Sequence, residues 1–275
     1  MKTMIAASVL ALLAPMAMAD EDATLSIDGE EFVTQAAAPA HMENVDTLYS
    51  GWTFRTDETQ ALQTDDFDNP SFIFVDQALD QWDTAEGSEG KACSDCHADV
   101  ADFAGLKPSL PRVEDGELVT LTNLVNECVV DRMGSKEWKY SGAKMSAMTA
   151  LIAHQSRGML MNVAIDGDAA PFWEQGKELY YQRVGQLDMS CSNCHEDNYG
   201  NMIRADHLSQ GQINGFPLYR LKNAKINTTH GRFKGCMSNI RATPYKEGGP
   251  EFKALELYIA SRGQGLSVET PAVRN

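Results

Sequence analysis

Cys93-Ser94-Asp95-Cys96-His97 and Cys191-Ser192-Asn193-Cys194-His195 are two copies of one pattern. Thiols three residues apart on one turn reach the two vinyl groups of a porphyrin and form thioethers. The histidine that follows presents its imidazole to the iron. With 6 Cys and 6 His in 275 residues, the pattern arises by chance at roughly 1 in 10⁵ starting positions, so two copies are not accidental. Zinc would need further Cys or His pairs, or both motifs combined in one cage. The chain is therefore expected to carry two covalently bound haem c groups, one on Cys93 and Cys96 and one on Cys191 and Cys194. His97 and His195 are the expected axial ligands.

Cys128 and Cys236 remain. In an exported protein they could pair as a disulfide. Alternatively, each is the distal axial ligand of its own haem, a role that Cys thiolate is able to fill. Their placement favours ligation. Cys128 follows His97 by 31 residues and Cys236 follows His195 by 41, and each precedes a helix that closes on Ser-Arg-Gly, at Ser156 and at Ser261. A disulfide between equivalent positions of two repeats would require both haem faces to meet. Met133 and Met237 are alternative distal ligands, as are His154, His207 and His230, although none of these histidines has a counterpart in the other half.

The two cysteines differ in electrostatic setting. From His207 to Lys246 there is no Asp or Glu, in a chain with 39 acids against 23 Lys and Arg. That stretch holds Arg220, Lys222, Lys225, Arg232, Lys234, Arg241 and Lys246. Around Cys128 the sequence is mainly acidic. Cations lower a thiol pKa and attract anions, and an arginine fork holds an oxyanion by two parallel bonds. Arg232 and Lys234, four and two residues before Cys236, are the candidate substrate-binding groups. Lys222 and Lys225 read as solvated surface. The second haem is the expected chemical site, with Cys236 at its centre.

These sites need elements to hold them. Met1 to Ala19 has a short charged start, an apolar run and Ala17-Met18-Ala19, a signal peptide expected to be cleaved after Ala19. The apolar run is too short to span a bilayer, and no later stretch approaches that length, so no membrane anchor is expected. Haem c assembly also requires an oxidising, exported compartment, which points to the periplasm. Without Lys2 the formal charge is −17 (22 basic against 39 acidic residues), which disfavours nucleic acid and anionic membranes.

Residues 20–47 are acidic and alanine-rich and read as an N-terminal extended arm, disordered by default or packed on a partner. A short helix is expected at Thr59–Gln63, and a turn at Asp65-Asp66-Phe67-Asp68-Asn69-Pro70. Phe74, Ala78 and Trp82 mark the helix entering the first motif, and Phe172 to Tyr181 the helix entering the second. Gly158 and Gly263 sit where helix C-caps belong, with Arg157 and Arg262 at the negative ends of the dipoles. The expected fold is mainly α: two tandem cytochrome c-type domains related by internal repeat, at 48–162 and 163–275, with the break at Asp166-Gly167-Asp168.

Over nearly the whole mature chain the sequence resembles the dihaem subunits of the SoxAX cytochromes of bacterial thiosulfate oxidation. The resemblance rests on Tyr49-Ser50-Gly51, the Asp65–Pro70 string, both haem motifs, Val125-Asn126-Glu127-Cys128 and, most specifically, Gly231-Arg232-Phe233-Lys234-Gly235-Cys236. It implies His/Cys ligation of both irons, His97 with Cys128 and His195 with Cys236, and a Cys236 able to carry an extra sulfur as a persulfide. Arg232 matches the family arginine that precedes the active cysteine. Val129 departs from the basic residue expected after the first distal cysteine.

The implied reaction is that of an L-cysteine S-thiosulfotransferase. Thiosulfate is joined oxidatively to a cysteine of the carrier protein SoxYZ. Electrons pass through a SoxX-type monohaem cytochrome subunit, the heterodimer partner, to a soluble cytochrome c. Two rival classes are a dihaem electron carrier in which Cys236 is only a ligand, and a dihaem peroxidase. The latter needs an open iron position, which fixed Cys ligands on both haems deny.

Overall fold

The computed structural model describes residues 24–204 and 206–275, so the expected signal peptide lies outside the described residues. Strands β1 (Leu25–Ile27) and β2 (Glu30–Phe32) form an antiparallel hairpin. Asp28 and Gly29 form its turn with φ of 53° and 84°, left-handed values that Asp-Gly accepts readily. β3 (Gln35–Ala37) pairs antiparallel with β4 (Thr47–Tyr49).

The expectation for 20–47 and the structure differ here. Leu25, Ile27 and Phe32 are buried with Trp52, and Met42, Val45 and Leu48 with Leu266. Val33 and Ser267 exchange hydrogen bonds, and Gln210 bonds both Tyr49 N–H and Thr47 C=O. The segment packs on its own chain because its few apolar residues face inward from one tight hairpin, from β4 and from the long loop between β3 and β4. That pattern is too short to show as a period in the sequence.

Helix α1 (Asp57–Thr64) leads through the Asp65–Pro70 turn into α2 (Phe72–Trp82). Val75, Ala78 and Trp82 form the buried face of α2, the three- and four-residue spacing of one helical side. A hairpin of β5 (Arg112–Glu114) and β6 (Glu117–Val119) precedes α3 (Leu121–Glu127), which runs into a π-helical turn at Cys128–Arg132. Helix α4 (Ala143–His154) is buried from Met145 to Ala153, as a helix apolar all round must be. Helices α2, α3 and α4 and the π-helical turn share one core, from Val75 to Ala153, while Leu118 of β6 packs into the core of the second half.

Helix α5 (Ala170–Tyr181) opens the second half after a break at Gly167 and leads to α6 (Cys191–His195). A small hairpin, β7 (Met202–Ile203) and β8 (Asp206–His207), follows. Next come β9 (Leu218–Arg220), β10 (Lys225–Asn227), α7 (Thr229–Asn239), α8 (Pro250–Arg262) and β11 (Ala272–Arg274). The three strands make a sheet in the order β10-β9-β11, with β11 parallel to β9. A second core is built almost entirely of residues from Met161 to Ala272.

Helix α5 crosses α8 at Gly176, where an added Cβ would lie 2.1 Å from the carbonyl oxygen of Ala254. A side chain there has only backbone to displace. Gly176→Val is therefore expected to destabilise the protein by about 1–3 kcal/mol or more. Thermal unfolding is the measurement, and an unchanged midpoint would show that the crossing tolerates a wider spacing.

Gly263 is the C-cap of α8 with Arg262 in its last turn, as expected, whereas α4 is capped by Gln155, short of Gly158; the serines and arginines of the two strings also bond elsewhere. Ser156 Oγ accepts from the Gly105 and Lys107 N–H groups, and Ser261 Oγ accepts from Trp173 Nε1 at 2.8 Å. Arg157 lies beyond the end of α4 and holds Asp66 by both nitrogens, at 2.6 and 2.9 Å. Arg262 is buried against Glu196. Gly158 has the left-handed φ of 85°, whereas Gly263, at −96°, does not. Both arginines serve ion pairs across the fold, which outweigh any effect on the helix dipoles.

Candidate haem and thiolate site

Ser190 caps α6: Asn193 Oδ1 accepts from its N–H at 3.0 Å. This short turn carries Cys191, Cys194 and His195 together. His195 Nδ1 lies 2.7 Å from the carbonyl oxygen of Ser209. A carbonyl only accepts, so Nδ1 carries the proton and Nε2 is left free to bind a metal. Gly211 makes room for the ring, since a Cβ there would lie 2.9 Å from the imidazole. Its φ of 84° also suits glycine.

Cys236 approaches from α7, whose N-cap Thr228 accepts from Gly231 N–H. Its thiol lies close enough to the His195 side chain for that group to lower its pKa. Desolvation pushes the Cys236 pKa up, but the Arg232 guanidinium, His195 and Arg220 together outweigh it and bring the pKa down to about 7. The two thiols of the second motif go the opposite way. Burial, then the charge of Cys236, pushes Cys191 up to about 12, and burial also raises Cys194. Two thiols on one turn, an imidazole tied by a carbonyl and an opposing thiolate are a donor set that fits covalent haem c.

Arginines surround this thiol. Arg55 pairs with Asp206 and donates Nη2 to the His207 carbonyl oxygen at 2.8 Å; Arg274 pairs with Glu269 at 3.0 Å. Burial, followed by the charges of Arg274, Arg232 and Arg220, pushes Arg55 down to about 9. Burial and Arg232 also lower Arg220, whose Nε donates to the Asn275 carbonyl oxygen at 2.8 Å. Among the described residues neither Arg220 nor Arg232 has an Asp or Glu partner. Their charge is available to an anion. Lys234 is exposed and is not among the groups that shift Cys236, and Lys222 and Lys225 are exposed as well.

In the first half, Cys93–Asp95 forms a 3-10 turn, and Asp95 accepts from Ala92 N–H at 2.8 Å. Cys128 opens the π-helical turn, a distortion often found at functional positions. Cys93 is raised to about 11, first by burial and then by the charge of Cys128, so motif and distal cysteine converge. Burial, then the charge of Cys96, raises Cys128 against the smaller pull of Arg132. His97 packs against Phe103 at 4.9 Å and Trp82 at 6.1 Å. His195 thus bears directly on Cys236, whereas His97 is not among the groups that shift Cys128.

The alternatives left open by the sequence fare differently. All six cysteines are free, and Cys128 and Cys236 lie beside different motifs, so no disulfide joins them. Cys93 and Cys191 pack against separate cores, which argues against one shared zinc cage. Met133 is buried in the first core, His154 packs edge-on to Phe72, and His230 stacks on Tyr140. Arg55 and Arg274 escaped the sequence reading because they lie far outside the basic stretch. Only the fold brings Arg55 to Arg220 and Arg232, and Arg274 beside Arg220.

Residues 77–161 match the SoxA/TsdA cytochrome c domain, so the chain binds haem c covalently. The L-cysteine S-thiosulfotransferase subunit SoxA of Rhodovulum sulfidophilum is 55% identical over 262 residues, 94% of this chain and 91% of the relative. The chain belongs to the SoxA family. The SoxA subunit of Paracoccus pantotrophus is also 55% identical, over 89% of this chain and 86% of the relative. That of Pseudaminobacter salicylatoxidans is 42% identical, over 98% and 95%. The crystal structure of SoxXA from P. pantotrophus superposes with a TM-score of 0.88 at 53% identity, covering 92% of this chain and 97% of that one. This SoxA-family fold is therefore rich in helices and includes a cytochrome c domain.

Proposed function

We propose that this chain is the catalytic dihaem subunit of a periplasmic SoxAX-type complex that couples thiosulfate oxidatively to a carrier cysteine. The carrier is a SoxYZ-type protein. The activity is that of an L-cysteine S-thiosulfotransferase, as in the family to which the chain belongs. The reaction R–SH + S₂O₃²⁻ → R–S–S–SO₃⁻ + H⁺ + 2e⁻ forms one S–S bond and releases two electrons. A haem c held by Cys191 and Cys194 would supply one-electron transfer, and a SoxX-type partner and a soluble cytochrome c would carry the electrons away. One observation carries the assignment of the site: Cys236 faces His195 with its thiol lowered by Arg232 and Arg220, two guanidinium groups without carboxylate partners.

Each residue then has a task. Cys191 and Cys194 anchor the second haem, and His195 and Cys236 hold its iron. Arg232, with Arg220 beside it, holds the sulfonate end of thiosulfate, which leaves the sulfane sulfur turned to Cys236. Lys234 adds only to the long-range field. Cys236 serves as the sulfur-transfer group: its thiolate would join the sulfane sulfur of thiosulfate as Cys236–S–S–SO₃⁻ with release of two electrons, and attack of the carrier thiolate on that sulfur would pass on the S–SO₃⁻ unit and return the Cys236 thiolate. Cys93, Cys96, His97 and Cys128 hold a first haem in a setting without the arginines. The two separate cores support a division into cytochrome c-type units at 48–162 and 163–275. Tyr199, Met202 and Ile203, exposed just after the second motif, suit docking of the monohaem partner. Among the described residues no helix is long and apolar enough to cross a membrane, and residues 1–19 supply the export signal.

The haem-loaded complex is expected to turn over thiosulfate with a carrier thiol and reduce cytochrome c. Reduction of cytochrome c without S-thiosulfonate on the carrier would leave a pure electron carrier. Intact mass is expected to show two haems on a chain beginning at Asp20, and acid–acetone should leave the colour with the protein. Loss of colour to the solvent would exclude thioether attachment.

A further inference from the structure

The helices that carry the two distal cysteines start at one place. Thr120 caps α3 and Thr228 caps α7, and each lies eight residues before its cysteine, Cys128 and Cys236. The Thr120 hydroxyl meets Tyr140 OH at 2.6 Å, and the Thr228 hydroxyl meets Ser141 Oγ at 2.5 Å. Adjacent residues of a single strand of chain thus tie both caps. Beside them lies a cavity of about 30 Å³, lined in part by Lys107, Thr122, Tyr140, Thr228, His230 and Glu256.

The charged and polar side chains there are deeply buried: Lys107 is 4% exposed, His230 0% and Glu256 7%. Gly248 N–H donates to His230 Nδ1 at 3.0 Å, so the ring proton sits on Nε2. That nitrogen lies 2.9 Å from Glu256 Oε2 but is not aligned for a hydrogen bond. The ring is fixed by stacking on Tyr140, with centroids 4.5 Å apart and planes at 12°. Among the described residues the Lys107 ammonium makes no direct hydrogen bond. Buried donors and acceptors are rarely left unmet. A ligand here must accept from Lys107 and His230 and donate to Glu256. An anion would meet the carboxylate and a cation the ammonium, whereas water satisfies all three. At roughly 10–15 Å³ for each water, the cavity has room for about two.

We propose that this cavity is a bound-water site held by Lys107, Glu256 and His230, and that through His230 it positions the first turn of α7 and so Cys236. The site goes beyond the sulfur chemistry, and only its effect on the second haem rests on Cys236 being an iron ligand. His230 is here a positioning residue, six residues from Cys236 on the same helix.

A high-resolution crystal structure of the haem-loaded complex is expected to show about two ordered waters bonded to Lys107 Nζ, Glu256 and His230 Nε2. A direct Lys107–Glu256 bond that closes the cavity would overturn the site. His230→Phe keeps the stack on Tyr140 but removes both ring nitrogens. It is expected to shift the low-spin EPR signal of the second haem while the first haem's signal and the haem count stay unchanged. Should that variant not fold, Glu256→Gln, which keeps the shape and removes the charge, is expected to give a smaller shift of the same signal. Unchanged spectra in whichever variant folds would overturn the positioning role. Loss of the Cys236-dependent signal in neither Cys236→Ala nor Cys236→Ser would instead sink the ligand assignment and leave the water site standing.

Discussion

Cys236→Ala and Cys236→Ser are expected to abolish thiosulfate coupling, because each removes the proposed iron ligand and the proposed sulfur-transfer group together. Arg232→Ala should leave haem attachment intact and still slow the reaction. It is the largest of the cationic influences on the Cys236 thiol, and it has no carboxylate partner to satisfy when substrate is absent. Loss of one charged hydrogen-bond partner typically costs ~1.5–3 kcal/mol, or roughly one to two decades in rate. Arg232→Lys restores the charge without the planar fork and is expected to recover only part of the loss. Cys128→Ser should alter the first haem's spectrum and spare much of the activity, since burial and a neighbouring thiol raise that cysteine where arginines lower the other. Steady-state rates, with haem content checked in each variant, decide this. A Cys128→Ser protein as inactive as Cys236→Ala, with its second haem intact, would mean that the first haem takes part in turnover.

The haem motifs were legible because covalent chemistry fixes their spacing whatever the fold around them. Cys128 and Cys236 stood out only as a pair, through their matching positions in two halves. A single sequence gives no distance, and the structure brings His195 to Cys236 but leaves His97 packed on Phe103. The cationic site was readable in part. Arg232 shares a helix with Cys236, so local sequence revealed it. Arg220 lay in the basic stretch but did not stand out from its neighbours. Its weight comes from β9, whose neighbour β11 carries Arg274 from 54 residues further on. Lys234 shows the converse: closeness in sequence did not bring it to bear on the thiol. The hairpins at 25–49 were hidden for a simpler reason, since three-residue strands with at most two buried side chains make no measurable period.

The residue after the second motif carries the other large expected effect. Glu196 and Arg262 form an ion pair at 2.5 Å, with side chains 2% and 1% exposed. The Glu196 carboxylate also accepts from Tyr181 OH at 2.8 Å and from Asn44 Nδ2 at 3.1 Å. It therefore joins the arm, α5, α6 and α8 next to the proximal His195. The Arg262 guanidinium lies 4.4 Å from the Tyr180 ring, but its Nε and Nη2 have no hydrogen-bond partner. Glu196→Ala leaves a buried charge uncompensated, which typically costs ~3–5 kcal/mol. Against a total stability of about 5–15 kcal/mol, that is a large fraction. Removing the charge as well, in Glu196→Ala/Arg262→Met, is expected to recover much of the loss, because the desolvation penalty leaves with the guanidinium. Thermal unfolding of the haem-loaded single and double variants reads this directly. If the double variant were as unstable as Glu196→Ala alone, the carboxylate's bonds to Tyr181 and Asn44, rather than its pairing with Arg262, would be what holds the second haem's helix in place.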